Sequence, residues 1–313
     1  MTKYSSRPAM SAAVILIFIF AIVQPADTQN NRQGGKYTIS KDVGLVLLPT
    51  VVLDKSGHFV TDLNEQNFSV FENNVRQKLA IFQREDIPIT VGLVIDSSGS
   101  IHDKRDSVNI AALTFAKASN RPDEVFVVNF SDEFYLDLEK DFTNDINELR
   151  RALEQANPGG NTALYDAIIG SLDHLKKGTR EKKVLIVITD GEDMASRKSL
   201  GQTILEVQKS DAMIYTVGIL DEENKRSAGK AENALKQIAN ASGGIAFFPR
   251  PAEVEGVCKK IAGDIRNQYV VGYYPENKAR DGSYRVVKVA VKAKGLGKLG
   301  VRHRPGYYAG QKN

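Results

Sequence analysis

Thr90-Val-Gly-Leu-Val-Ile-Asp96-Ser-Ser-Gly-Ser100 runs from an unbroken apolar stretch straight into a carboxylate and three serines. Thr90–Ile95 is short and rich in β-branched residues, which reads as a strand buried on both faces. Such strands belong to parallel sheets covered by helices on either side. Beyond it, Val108, Ala111, Ala112 and Phe115 fall on one helical face, so a strand is followed by a helix.

The alternation continues downstream. Val125–Phe130 reads as a strand with a hairpin partner near Phe134–Leu138, and Ile146–Ala156 as a helix. Leu164, Ala167, Ile168, Leu172 and Leu175 share a stripe, which predicts a helix from Thr162 to Lys177. Val184–Thr189 is a continuous apolar strand, followed by a helix over Leu200–Lys209 and a strand over Ala212–Ile219. Ala231–Asn240 reads as a helix and Gly244–Phe248 as a strand, and Val254, Val257, Ile261 and Ile265 mark a last helix. Residues 87–266 are therefore predicted to be an α/β domain with a doubly wound, mostly parallel sheet.

The flanks have a different texture. Residues 37–86 and 267–310 are β-rich, with Phe68–Phe71 alternating apolar and polar and Glu72-Asn73-Asn74 as a turn. We expect these two regions to pack on each other as a small β-sandwich, with the α/β domain inserted between them, because chain termini commonly lie close together. Residues 311–313 form a tail.

Residues 1–26 carry Lys3 and Arg7, an apolar run from Ala12 to Val23, and then Gln24-Pro25-Ala26. This pattern reads as a secretory signal peptide. The run falls short of the about 20 apolar residues of a comfortable membrane span, although an uncleaved N-terminal anchor is the alternative. Residues 27–36, polar and Gly-rich, read as a flexible linker. No later segment is long and apolar enough to span a membrane. The expectation is an exported protein, periplasmic or extracellular.

Of the 313 residues, 42% are hydrophobic and 26% charged, a globular balance that excludes wholly disordered or collagen-like chains. The 42 basic and 38 acidic residues leave only a slight positive excess, which offers no argument for nucleic acid. Cys258 is the only cysteine, so neither an intramolecular disulfide nor a multi-cysteine zinc site is available.

Asp96 closes a predicted strand of an open α/β sheet, and ligands bind at that end. Ser98 and Ser100 follow at alternate positions. Asp190 closes another strand, and Asn157-Pro-Gly-Gly-Asn-Thr162 brings Thr162 to the start of a helix. Carboxylates and hydroxyls are hard oxygen donors suited to Mg²⁺, Mn²⁺ or Ca²⁺. Each piece alone has a plainer reading: helix caps for Asp96, Ser98, Ser100 and Thr162, and a turn for Asp190-Gly191.

Taken together, D-x-S-x-S at Asp96, Ser98 and Ser100, then Thr162, then Asp190 resemble a von Willebrand factor A domain with a complete metal-ion-dependent adhesion site. VGLVIDSSGSI, GGNTALYDAI and VLIVITDGED are likewise similar to that family. The whole arrangement also resembles the exported bacterial group of VWFA-related proteins. The resemblance implies a non-enzymatic, adhesion-type binding module. Ser98 and Ser100 would ligate the metal directly, Asp96 and Asp190 would add charge partly through waters, and Thr162 would bind directly or through water. An open position would accept an exposed Asp or Glu of a partner protein. It further implies that the final helix can move with binding. Glu192 and Asp193 could add charge without ligating.

Two other functions are weighed against this one. A serine hydrolase would use Ser97 or Ser98 as a nucleophile, but Gly-x-Ser-x-Gly is not met, and the four histidines have no triad setting. A metal-dependent assembly factor is the second, although export argues against an ATP-coupled partner. Gly295-Leu-Gly-Lys-Leu-Gly300 fits G-x-G-x-x-G, but a strand follows it rather than a helix, so it reads as a hairpin loop. Asn67, Asn129 and Asn240 begin glycosylation sequons.

Overall fold

The computed structural model describes residues 44–84, 87–117, 122–155, 158–221 and 224–310. The leader over 1–26, the linker over 27–36 and the tail over 311–313 lie outside the described residues. Along the chain, β1 (Val46–Leu53), β2 (Phe68–Glu72), β3 (Val75–Gln77) and β4 (Leu79–Gln83) come first. The α/β unit then runs β5 (Ile89–Asp96), α1 (Arg105–Lys117), β6 (Glu124–Phe130), β7 (Phe134–Leu136), α2 (Ile146–Glu154), α3 (Leu164–Leu175) and β8 (Lys182–Thr189). It continues with α4 (Leu200–Lys209), β9 (Met213–Gly218), α5 (Lys225–Ser242), β10 (Ala246–Phe247) and α6 (Val254–Arg266). Finally come β11 (Tyr269–Tyr273), β12 (Tyr284–Val291), β13 (Gly300–Arg302) and β14 (Gly306–Tyr308).

The central sheet has the order β10-β9-β8-β5-β6-β7 and is parallel except for β7. All eight residues of β5 are buried, because its two faces serve two cores. Val91, Leu93 and Ile95 pack with α1 and α6 residues such as Val108 and Ile261. Val94 packs with Ile168, Val207 and Leu235 from α3, α4 and α5. Gly92 lies where Phe126 and Leu185 close in, and a Cβ there would meet them at 2.4 and 2.6 Å. Burying each large aliphatic side chain contributes about 1.5–3 kcal/mol. The doubly wound α/β fold expected from the sequence is the observed one. Winding starts at β5 and proceeds to β6 on one side and to β8 and β9 on the other. The ends of β5 and β8 therefore frame the crevice where this class of sheet binds ligands.

The flanking regions form two four-stranded antiparallel sheets, β13-β1-β11-β4 and β14-β12-β2-β3. Leu48, Phe68, Val70, Tyr269, Val271 and Val289 share a single core between them. β1 precedes the α/β unit and β11 follows it, yet they pair from Val46↔Tyr273 to Thr50↔Tyr269. The 295–300 segment is a loop but not the expected hairpin. It carries the chain from β12 in one sheet to β13 in the other, because β13 pairs with β1 over Val51–Leu53. Gly295 and Gly297 take φ of +87° and +65° there, a region that favours glycine.

Helix α5 begins at Lys225, six residues before the predicted start. Its first turns are polar and carry no apolar stripe. The Asn224 side chain accepts from the Ser227 N–H, and Gly243 at φ +82° ends the helix. Among the described residues no helix is long and apolar enough to cross a membrane. Cys258 is buried in α6, and burial pushes its thiol up to about 12, consistent with an inert core residue.

His303 gives the sandwich a pH dependence. Its Nε2 accepts the Val289 N–H at 3.0 Å, and its Nδ1 lies 2.7 Å from the Arg304 carbonyl. The neutral ring with its proton on Nδ1 satisfies both. Burial lowers its pKa from the ordinary 6.5. As pH falls below 6.5 the unfolded chain takes up the proton first, so stability drops until the folded ring also titrates. His303→Gln should lose less melting temperature than the parent between about pH 7.5 and 5.5. An equal loss in both proteins would assign the acid sensitivity elsewhere.

Candidate metal centre

Asp96 ends β5 and is fully buried. Its Oδ1 accepts the Ser98 N–H at 2.8 Å, and its Oδ2 accepts the Thr189 hydroxyl at 2.5 Å. Both donors are neutral. Arg105 reaches the Asp96 backbone carbonyl, at 3.1 Å, rather than the carboxylate. Burial raises the Asp96 pKa, the two hydrogen-bond partners oppose the rise, and the nearby Asp190 adds to it.

Beyond Asp96 the chain turns through Ser97 and Ser98 into a 3₁₀ turn, Gly99–Lys104. Ser98 occupies the cap position of that turn, but its hydroxyl caps nothing. It lies 3.3 Å from the Ser100 hydroxyl instead. Ser100 donates to Asp190 Oδ1 at 2.8 Å across the crevice. Lys104 Nζ lies 2.8 Å from Asp190 Oδ2 and 3.1 Å from the Ile219 carbonyl.

The third segment is pinned by backbone. Gly159 N–H donates to Ser97 O at 2.8 Å, and Gly99 N–H to Gly160 O at 3.2 Å. Gly160 has φ +77°, and a Cβ on it would meet Asp132 Oδ2 at 2.1 Å. Asp132 Oδ1 accepts from both the backbone and the side-chain amide of Asn161, at 3.0 and 2.9 Å. These two bonds hold its carboxyl below the usual range. Thr162 is buried and precedes α3, but Ala163, not Thr162, sits at the cap position. Its carbonyl accepts the N–H groups of Met194 and Ala195, which ties the segment to the loop after β8.

Ser98, Ser100, Thr162 and Asp190 thus open onto one cleft of about 700 Å³, with Asp96 beneath its floor. All five residues singled out in the sequence meet at this edge of the sheet. The capping reading does not hold for Ser98 or Thr162, since neither side chain caps its helix. Glu192 also lines the cleft, but it is engaged by Lys230 at 2.8 Å and Ser227 at 3.2 Å. Asp193 turns inward to the Ser196 hydroxyl and the Tyr165 N–H. His102 is exposed beside Asp103, with no triad around it. Sequence reasoning missed Thr189, Lys104, Arg105 and Asp132, whose bonds to the site cross up to 93 residues of chain.

Two carboxylates and three hydroxyls fit a small, hard divalent cation, which prefers oxygen donors and keeps several waters. Asp96 supplies the test. Its two carboxylate oxygens accept from neutral donors, with the Arg105 guanidinium beside its backbone carbonyl as the nearby cation, and an ion over Ser98 and Ser100 would add a counter-charge on the open side. Among the described residues no three His, Cys, Asp or Glu side chains are grouped so as to hold a metal ion by themselves, so the set is hydroxyl-rich rather than a carboxylate cage.

An open, doubly wound α/β sheet with a hydroxyl-rich crevice beside the first strand of its α/β unit defines the class of fold. The von Willebrand factor type A domain family matches residues 90–255, and the chain belongs to that family. No curated protein matches it in sequence. Among solved structures, a von Willebrand factor type A protein from Catenulispora acidiphila is similar at 12% identity and a TM-score of 0.50, over 86% of this chain and 74% of that one. The vWF domain of the type V pili tip protein Mfa5 from Porphyromonas gingivalis is similar at 14% identity and a TM-score of 0.49, over 57% of this chain and 95% of that one. The PilB minor pilin from Streptococcus sanguinis aligns at 15% identity and a TM-score of 0.47, over 59% of this chain and 63% of that one.

Proposed function

We propose that this chain is an exported, adhesion-type protein-binding module without catalytic activity. It holds a divalent cation, Mg²⁺ with Mn²⁺ or Ca²⁺ as substitutes, and through it a carboxylate of a partner protein. The observation that carries the reading is the buried Asp96 carboxylate beneath the uncapped Ser98 and Ser100 hydroxyls, its oxygens accepting from neutral donors and no cation bonded to them. Ser98 and Ser100 hold the ion through their hydroxyls, with Thr162, Asp96 and Asp190 in support. Having few direct carboxylates, the ion keeps positive character for an acidic group from outside. Export rests on the leader-like start of the sequence, and the small net charge gives nucleic acid no footing.

Titration calorimetry with Mg²⁺ and Mn²⁺ tests the reading. The parent should bind one equivalent saturably. Asp96→Asn and Asp190→Asn should lose at least about tenfold in affinity while remaining folded by thermal melting. A folded parent that binds neither ion refutes the metal reading.

A further inference from the structure

We infer that Lys104 is a built-in cation that sets how tightly the site holds its divalent ion, an inference that rests on the metal reading above. Both oxygens of Asp190 are engaged, Oδ1 by the Ser100 hydroxyl and Oδ2 by the Lys104 ammonium, each at 2.8 Å. The Asp190 side chain is 1% exposed and that of Lys104 22%, so this pair is not one of the solvent-screened surface bridges that contribute little.

The ammonium is also held from a second direction. It donates to the Ile219 carbonyl at 3.1 Å, and Ile219 N–H is itself bonded to Thr189 O at 2.9 Å. Lys104 closes the 3₁₀ turn that begins beside Ser98. The turn that presents Ser98 and Ser100 therefore also delivers a fixed positive charge to the second carboxylate of the set.

Two consequences follow from charge alone. Asp190 is already neutralised by one cation, so a divalent ion gains less from it and feels the ammonium's repulsion. The same loss leaves the ion with more of its own charge for an incoming carboxylate. The arrangement exchanges affinity for the ion against attraction for the partner. By Coulomb's law, a unit charge held against the same carboxylate changes the affinity of a divalent ion by about tenfold even at water-like screening.

The test is Mn²⁺ titration calorimetry on the full chain, comparing the parent with Lys104→Met, Lys104→Gln and Lys104→Arg. Lys104→Met and Lys104→Gln should bind Mn²⁺ about tenfold more tightly, and Lys104→Arg within about twofold of the parent. Without the ion, Lys104→Met should melt lower than the parent, because Asp190 stays buried without its cation. Mn²⁺ should then raise its melting temperature by more than it raises the parent's. Lys104→Gln keeps a hydrogen-bond donor and serves if the methionine variant does not fold. Equal or weaker binding by both uncharged variants, next to a parent that binds, overturns the inference and leaves the metal reading standing. No binding by any of the four proteins overturns both.

Discussion

Glu72→Leu is expected to destabilise the protein by about 3–5 kcal/mol, the cost of leaving a buried charge without its partner. Glu72 is the last residue of β2 and is 3% exposed. Its Oε1 accepts from Arg285 at 3.1 Å, and its Oε2 accepts the Tyr273 and Tyr307 hydroxyls at 2.8 and 2.7 Å. Tyr273 belongs to the sheet opposite Glu72, so this carboxylate stitches the two sheets of the sandwich together. Arg285, itself 2% exposed, also donates to the carbonyls of Asn277 and Ala279. Burial and the Glu72 carboxylate push the Tyr307 hydroxyl up to about 12, so it remains a donor throughout the neutral range. Leucine would strand a guanidinium and two hydroxyls in the interior. Adding Arg285→Met should recover the share of the loss due to the stranded guanidinium, since an apolar pair replaces a buried ion pair at little cost, while the Tyr273 and Tyr307 hydroxyls remain unpaired. Urea unfolding of the four proteins in this cycle measures the coupling. A Glu72→Leu loss under about 1 kcal/mol would give the pair the worth of an exposed bridge and refute the argument.

How much of this could be read from the chain depends on where each signal sits. β5 and β8 are legible because strands buried on both faces must be apolar along their whole length. The polar opening turns of α5 carry no such signal. β3 and β14, at three residues each, are too short for any period to show. The crossing made by the 295–300 loop has no local mark, because sheet membership depends on which strand β13 meets, and that partner, β1, lies more than 200 residues earlier. The five oxygen donors are legible because each lies at or just beyond a strand's carboxyl end or just before a helix, so local pattern and sheet topology point to the same edge. Their support is not. The Thr189 hydroxyl on Asp96 and the Arg105 contact with Leu153 O join distant segments, and one arginine or threonine among many carries no local mark. Burial also corrects the sequons: Asn129 is buried and bonded to Asp137 and Ala152, whereas Asn240 is exposed.

Arg105→Met is expected to cost about 3–5 kcal/mol of stability, and to weaken ion binding at the proposed site by more than about tenfold. Arg105 opens α1 and is 9% exposed. One guanidinium nitrogen donates to Asp96 O at 3.1 Å and Ser97 Oγ at 3.0 Å, and the other to Asn129 Oδ1 at 3.2 Å and Leu153 O at 2.8 Å. Burial lowers its pKa from 12.5, but a guanidinium stays charged at any working pH. A single planar fork therefore ties the loop that carries Ser98 and Ser100 to β6 and α2. Methionine keeps the length of the stem and removes all four bonds. Lysine keeps the charge but cannot span four acceptors in two directions, so Arg105→Lys should fall between the parent and Arg105→Met. Positioning can be separated from mere stability with Val108→Ala, which leaves a cavity in the core under α1 without touching the loop. At matched destabilisation, and under conditions where each variant is folded, Val108→Ala should bind Mn²⁺ like the parent while Arg105→Met does not. Parent-like Mn²⁺ affinity in Arg105→Met would reduce the guanidinium to a structural brace, with the geometry of the serine loop set by its own Asp96 and Gly160 contacts.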